Sequence, residues 1–295
     1  MAVVQNDMLH FRQFLIFAVA GLLLQACSAV RLGYDNADSL VRWWIDQYVD
    51  MSPEQDLLAR ERLSRFHVWH RRSQLGDYIS LARQAQKLIA GQPSASDALT
   101  LLESVIQRGR GLAAQATPDI ADFLLTLAPG QIERMAGQLE EKNATFAKEV
   151  QLADGAGGQR KAHLRRVLER TEFWFGDFGE EQKVRLRQVI DGQPIGTQFW
   201  YDERLRRQRE WLDLVRLVQR DHPQRERVVQ LLHEYAARFD LPADPARLAQ
   251  AQALRRNAAE LFVAIHAVTT PEQRAHAQHK LDDLIGDFTA LSAGS

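Results

Sequence analysis

Few side chains in this sequence combine the type and the spacing that chemistry needs. His276 and His279 stand three residues apart with Asp282 and Asp283 following, and His67 and His70 repeat the spacing. Imidazoles three apart on a helix share a face and could chelate a divalent cation. No HExxH-type signature accompanies either pair, and a helical chain with nine histidines forms such pairs by chance. His276 and His279 are therefore weak candidate ligands, and no metal is expected. Glu103 is the one carboxylate worth weighing as a general acid, a role that needs burial to raise its pKa. Nothing in its neighbourhood supplies that burial. Cys27 is the only cysteine and closes an apolar run that begins at Phe14. A lone thiol in an exported chain would be unpaired and oxidisable. Gly-x-Ser-x-Gly is absent.

The elements that must carry these residues read as helices throughout. Helical periodicity dominates and no alternating strand is convincing. The expected fold is all-α, an irregular bundle of about ten helices with no sheet. Asp35 or Asn36 caps a first helix with Ala37, Val41, Trp44, Ile45 and Tyr48 on one face. A second runs from Pro53 to Ser73, and a third from Asp77 to Ala90 after a break at Gly76. Leu99, Leu102, Val105 and Ile106 mark the next, and Thr117-Pro118-Asp119 opens a separate short helix. Further helices are expected over Gly130–Leu152, up to Trp174, and over Glu180–Ile190, Thr197–Arg220 and Pro223–Asp240. Two last ones meet at Thr270-Pro271. Asp154-Gly155-Ala156-Gly157-Gly158 is the candidate division between two lobes. Adjacent aromatics such as Trp43-Trp44 cannot both face one core, so one of each pair meets another helix, solvent or a partner.

The apolar run Phe14–Leu24 is too short to span a bilayer, which takes about 20 residues, and reads as a secretory signal. Leu24-Gln25-Ala26-Cys27 resembles the bacterial lipobox. The resemblance implies a signal peptide over 1–26 cleaved after Ala26, lipid on Cys27, a tether over 27–34 and a helical domain over 35–295. Ser28 after the cysteine implies sorting to the outer membrane, with the protein held on its periplasmic face. Apart from that covalent lipid, no cofactor is expected.

Composition narrows the partners. The net charge is −1, which argues against nucleic acid. Arginine accounts for 31 of the 37 basic residues. Most lie among acids, as in Arg60-Glu61-Arg62, the pattern of solvated helix faces.

One pattern recurs. Ser52-Pro53-Glu54-Gln55 and Thr270-Pro271-Glu272-Gln273 are the same helix start: a capping hydroxyl, proline at the first helical position, an acid at the positive dipole end, and glutamine reaching back to the cap. Ala128-Pro129-Gly130-Gln131 and Gly179-Glu180-Glu181-Gln182 are variants. Four residues after each glutamine stand Ala59, Met135, Leu186 and Ala277, and eight after stand Leu63, Leu139, Ile190 and Leu281. Each glutamine thus begins an apolar stripe, and the uneven separations are not those of a solenoid. The four starts resemble, in short patches, the LTxxQ-motif family of periplasmic chaperones and envelope-stress sensors. The preceding pairs here are Met51-Ser52, Leu127-Ala128, Phe178-Gly179 and Thr269-Thr270.

The segment Arg31-Leu32-Gly33-Tyr34-Asp35-Asn36-Ala37, then Tyr48 to Gln55, Trp69-His70-Arg71-Arg72 and Leu75-Gly76-Asp77-Tyr78, resembles an uncharacterised family of proteobacterial putative lipoproteins. That family brings no known activity. Glu103-Ser104 resembles the Glu-Ser pair of lytic transglycosylases, without their downstream Gly-Leu-Met-Gln segment. The expected function is a non-enzymatic binding, scaffold or chaperone-like role, anchored to the membrane and open to an envelope protein partner. The alternatives are a glycan-cleaving enzyme using Glu103 and a metal-binding stress protein.

Overall fold

The computed structural model describes residues 30–194, 196–239 and 242–294. Ala26, Cys27 and Ser28 lie outside them. Among the described residues, after a helical stretch at 30–35, eleven α-helices follow one another: α1 Ala37–Val49, α2 Pro53–Ser73, α3 Leu75–Ala90, α4 Ala95–Leu124, α5 Pro129–Glu149, α6 Gly155–Phe175, α7 Glu180–Gly192, α8 Thr197–Asp221, α9 Arg225–Phe239, α10 Pro245–Val268 and α11 Pro271–Ala293. A 3-10 turn at Leu152–Asp154 precedes α6. The described residues contain no strand, so the all-α reading stands. None of their helices is long and apolar enough to cross a membrane.

Two apolar cores hold the bundle. The first joins Val49 of α1, Ala121 and Leu124 of α4, Ile132 and Met135 of α5, Leu214, Val215 and Val218 of α8, and Val228 and Leu232 of α9. The second joins Ala82 and Ile89 of α3, Phe175 of α6, Leu186 and Ile190 of α7, Leu261 and Ile265 of α10, and Ala277 and Leu281 of α11. Each core draws helices from both sides of residues 154–158. At that glycine-rich segment Gly155 takes a left-handed φ of 64° and opens α6 directly.

Helix α4 supplies Ala121 and Leu124 to the first core and packs along α3 and α10, two of the helices that carry the second. It is 30 residues long, about 45 Å at 1.5 Å per residue. It passes through Pro118 unbroken, where the sequence predicts a new helix. Proline removes the bond to the carbonyl four residues back, here that of exposed Ala114, which water can satisfy. Thr117 spends its hydroxyl on Ala113 O at 2.8 Å instead of capping. Burial of Thr117, Ala121 and Leu124 on the far side outweighs the local start signal. The break expected at Gly76 falls at Gln74, because Leu75 is fully buried.

Residues 30–35 are helical rather than a loose tether. Arg31 Nε donates to buried Asp287 Oδ1 of α11 at 2.6 Å. Tyr34 Oη lies 2.8 Å from His70 Nδ1, and His70 Nε2 lies 2.9 Å from Tyr78 Oη. Arg71 pairs with Asp35 and sits over the Tyr34 ring. The N-terminal motif residues therefore form one network that pins the chain to α2, α3 and α11.

Candidate functional site: an apolar cleft beneath a glutamine clasp

The four helix-start glutamines meet in two pairs. Gln55 Nε2 donates to Gln131 Oε1 at 2.9 Å, and Gln131 Nε2 donates to Gln55 Oε1 at 2.6 Å. Gln182 Nε2 donates to Gln273 Oε1 at 2.7 Å, and Gln273 Nε2 returns the bond at 3.4 Å. Each oxygen also accepts the backbone N–H of its own cap: Ser52, Ala128, Gly179 and Thr270. Each nitrogen also donates to a backbone carbonyl in its partner's loop. Gln55 takes Thr126 O, Gln131 takes Asp50 O, Gln182 takes Val268 O and Gln273 takes Asp177 O. In every case the carbonyl lies five positions before the partner glutamine. An amide offers two donors and two acceptor sites, and here all four are used. The capping device is thus also a clasp between two helix starts, α2 with α5 and α7 with α11.

The stripes behind the clasps end differently. Four residues on, Ala59, Met135, Leu186 and Ala277 are all buried. Eight residues on, Ile190 and Leu281 are buried in the second core. Their counterparts Leu63 and Leu139 instead line a cleft of about 850 Å³. That size falls in the ~300–1,000 Å³ range of small-molecule sites. The cleft lies between α1, α2, α4, α5, α8 and α9, and its walls include Trp44, Phe66, Phe123, Phe146, Trp200 and Trp211. Beneath one clasp the interior is packed, and beneath the other it is open.

Most of the lining is apolar, with polarity concentrated on α8. Trp200, Arg204, Arg207, Gln208 and Trp211 recur every three or four residues and so share one helix face. Arg204 Nε donates to Asn143 Oδ1 at 2.6 Å, and buried Asn143 donates from Nδ2 to Gln208 Oε1 at 2.5 Å. The Arg204 guanidinium sits 5.2 Å from the Phe146 ring centroid, and that of Arg207 4.8 Å from Phe239. Tyr235 donates its hydroxyl to Arg207 O at 3.2 Å. Burial pushes that phenol up to about 12, so it stays protonated. Trp211 Nε1 lies 3.2 Å from Met135 Sδ.

Glu203, also on α8 but not among the residues lining the cleft, is fully buried. Its Oε1 receives Arg247 at 2.7 Å and its Oε2 receives Arg206 at 2.8 Å. Burial alone would raise the Glu203 carboxyl, but the hydrogen bonds from Arg206 and Arg247 outweigh it and hold the group below the usual range. The Arg247 bridge ties α8 to α10, while Arg206 holds Glu203 from one turn along α8 itself.

The remaining sequence candidates fall elsewhere. Glu103 is exposed and lines a second cleft of about 780 Å³ between α3, α4 and α10, beside Arg108, Arg255 and Arg256. Its other carboxylate, Asp77, pairs with Arg108. None of the residues lining it is aromatic, so it offers no ring for sugar stacking. His276 and His279 are exposed on α11, with His279 Nε2 4.0 Å from Asp283. Both ring nitrogens of His70 are taken by tyrosines, which removes the His67–His70 pair as a chelate. Among the described residues no group of three or more His, Cys, Asp or Glu side chains could hold a metal. Trp43 and Trp44 both remain more than half exposed, at 62% and 56%.

A family model described as a family of unknown function, DUF6279, matches residues 47–239. The chain belongs to that family. The DUF6279 match takes in Gln55, Gln131 and Gln182 and the cleft residues from Tyr48 to Phe239. It leaves Gln273 and the α1 residues Val41, Trp44 and Ile45 outside. No curated protein and no solved structure matches the chain.

The sequence did not disclose the cleft. Leu63 and Leu139 read the same as Ile190 and Leu281, because spacing reports a face and not what meets it. One available signal was the α8 face, where two tryptophans flank Arg204, Arg207 and Gln208.

Proposed function

We propose that this DUF6279 protein is a lipid-anchored, non-enzymatic binding protein on the periplasmic face of the outer membrane, and that it binds an apolar ligand in the cleft beneath Gln55 and Gln131. The observation that carries the reading is the contrast between the two clasps. The Gln182–Gln273 stripe ends in packed Ile190 and Leu281, while the Gln55–Gln131 stripe ends in a cavity of about 850 Å³. Aromatic and aliphatic walls left facing water forgo the stabilisation of burial, and a large contiguous apolar surface of this kind marks a binding site, so an occupant is the physical reason to keep it. The lipobox-like Leu24–Cys27 and Ser28 support the anchor and its address, and the LTxxQ-like helix starts fit a chaperone-like or scaffold role toward apolar surfaces of an envelope partner.

The test of binding is titration with N-phenyl-1-naphthylamine, an uncharged apolar fluorophore. Saturable one-site binding that disappears in Ala116→Phe, whose new ring would fill the cleft, supports the reading. Absent saturation, or equal binding by the filled variant, overturns it. The anchor is tested separately: Cys27→Ser should abolish palmitate incorporation and release the protein from membranes.

The second reading is glycan cleavage by Glu103, favoured by its place in the other cleft. It requires that Glu103→Gln abolish a glycan-cleaving activity on peptidoglycan; the binding reading expects no activity to lose.

A further inference from the structure

Arg204 stands half-buried in the wall of an apolar cavity with part of its bonding capacity unspent. Its Nε is committed to Asn143 and its plane is steadied against Phe146. Among the described residues no carboxylate lies within ion-pair distance of its guanidinium. Asp119 is the carboxylate that lines the cleft, and Arg62 and Arg65 already hold it. Glu203 does not line the cleft and is held by Arg206 and Arg247. Gln208 has its amide oxygen occupied by Asn143, so its amide nitrogen is the end left to face a ligand. The wall thus offers the terminal guanidinium nitrogens of Arg204 and the Gln208 amide nitrogen, beside an apolar chamber. Guanidinium matches a carboxylate in geometry as well as charge.

The rim has its own character. Val30, Leu32, Leu40, Val41, Trp43 and Trp44 are large apolar side chains left exposed along residues 30–44, and Val41 and Trp44 also line the cleft. Val41 and Trp44 thus carry apolar surface from solvent into the cleft. Tryptophan at such a surface suits the water–lipid boundary.

We infer that the ligand is a long-chain fatty acid, its chain among Leu63, Leu139 and Trp211 and its carboxylate on Arg204 and Gln208. This rests on the cleft being the binding site. The experiment compares cis-parinaric acid with its alcohol analogue, dodecyl phosphate as competitor, and N-phenyl-1-naphthylamine, on the wild type, Arg204→Met and Arg204→Lys. The expected result is an acid affinity at least tenfold above that of the alcohol. Arg204→Met should remove the preference and Arg204→Lys restore part of it, with saturable naphthylamine binding retained as the sign of an intact cleft. Should Arg204→Met fail to fold, the acid preference of the wild type must still shrink as salt rises. Equal affinities for acid and alcohol, or stronger binding of the alkyl phosphate, would overturn the fatty acid while leaving the cleft reading intact. Failure of all four probes would overturn both.

Discussion

Gln55 and Gln131 bond to each other reciprocally, amide nitrogen to amide oxygen in both directions, across 2.9 and 2.6 Å. Each also seals its own helix cap and a carbonyl of the other's loop. Gln55 is only 5% exposed, so its loss would strand Ser52 N–H and Thr126 C=O and leave each end of the Gln131 amide with one of its two bonds. Gln55→Ala should cost about 1–3 kcal/mol, the desolvation cost of groups left unpaired. The pair should couple by about 1–2 kcal/mol in a double-mutant cycle read by urea denaturation. Additive single effects would mean that the two amides act independently.

The two clasps make a second, comparative prediction. Leu281→Ala empties a packed position and should cost about 2–5 kcal/mol. Leu139→Ala enlarges a space already open and should cost about 1 kcal/mol, since little packing is lost. Thermal denaturation of the two variants tests the order, and equal losses would argue that the cleft is closed in solution.

Much of this was legible beforehand, and the boundary has a physical cause. The four glutamine starts, the stripes behind them and the helices they open were visible, because caps and periodicity are local. That Gln55 finds Gln131, and Gln182 finds Gln273, was not, since uneven separations conceal a symmetric contact. Pro118 was misread for a related reason: Thr117-Pro118-Asp119 is a good local start, and only the tertiary burial of Ala121 and Leu124 overrides it. His70 looked like half of a chelate and is instead held between Tyr34 and Tyr78.

Acid should destabilise the fold. Burial, with His67 nearby, lowers the pKa of His70, and burial, with Arg166 and Arg170 nearby, lowers that of His163. The unfolded chain then binds more protons than the folded one, so stability rises with pH in this window. The contribution is complete above the unfolded histidine value of about 6.5 and is lost as pH falls toward the lower folded values. Melting temperatures should be level near pH 8 and drop below about 6.5, with a shallower drop in His163→Gln. A slope unchanged by that substitution would remove His163 from the account.

Glu203 gives a prediction independent of the cleft. Removing one of its two arginines leaves a fully buried carboxylate half-paired. Arg247→Met should therefore cost about 3–5 kcal/mol, measured by urea denaturation, because the charge cannot escape to water. A loss below about 1 kcal/mol, the value of a surface pair, would show that water reaches Glu203.

The central claim is that the cleft beneath the Gln55–Gln131 clasp holds an apolar ligand, and photolabelling maps it directly. A diazirine-bearing C16 fatty acid, irradiated with the folded protein and followed by peptide mass spectrometry, should mark α2, α5 and α8 around Leu63, Leu139 and Trp200. Excess unlabelled fatty acid should suppress the marks. Labels concentrated on α3, α10 or α11, or spread over the surface and insensitive to competitor, would contradict the account.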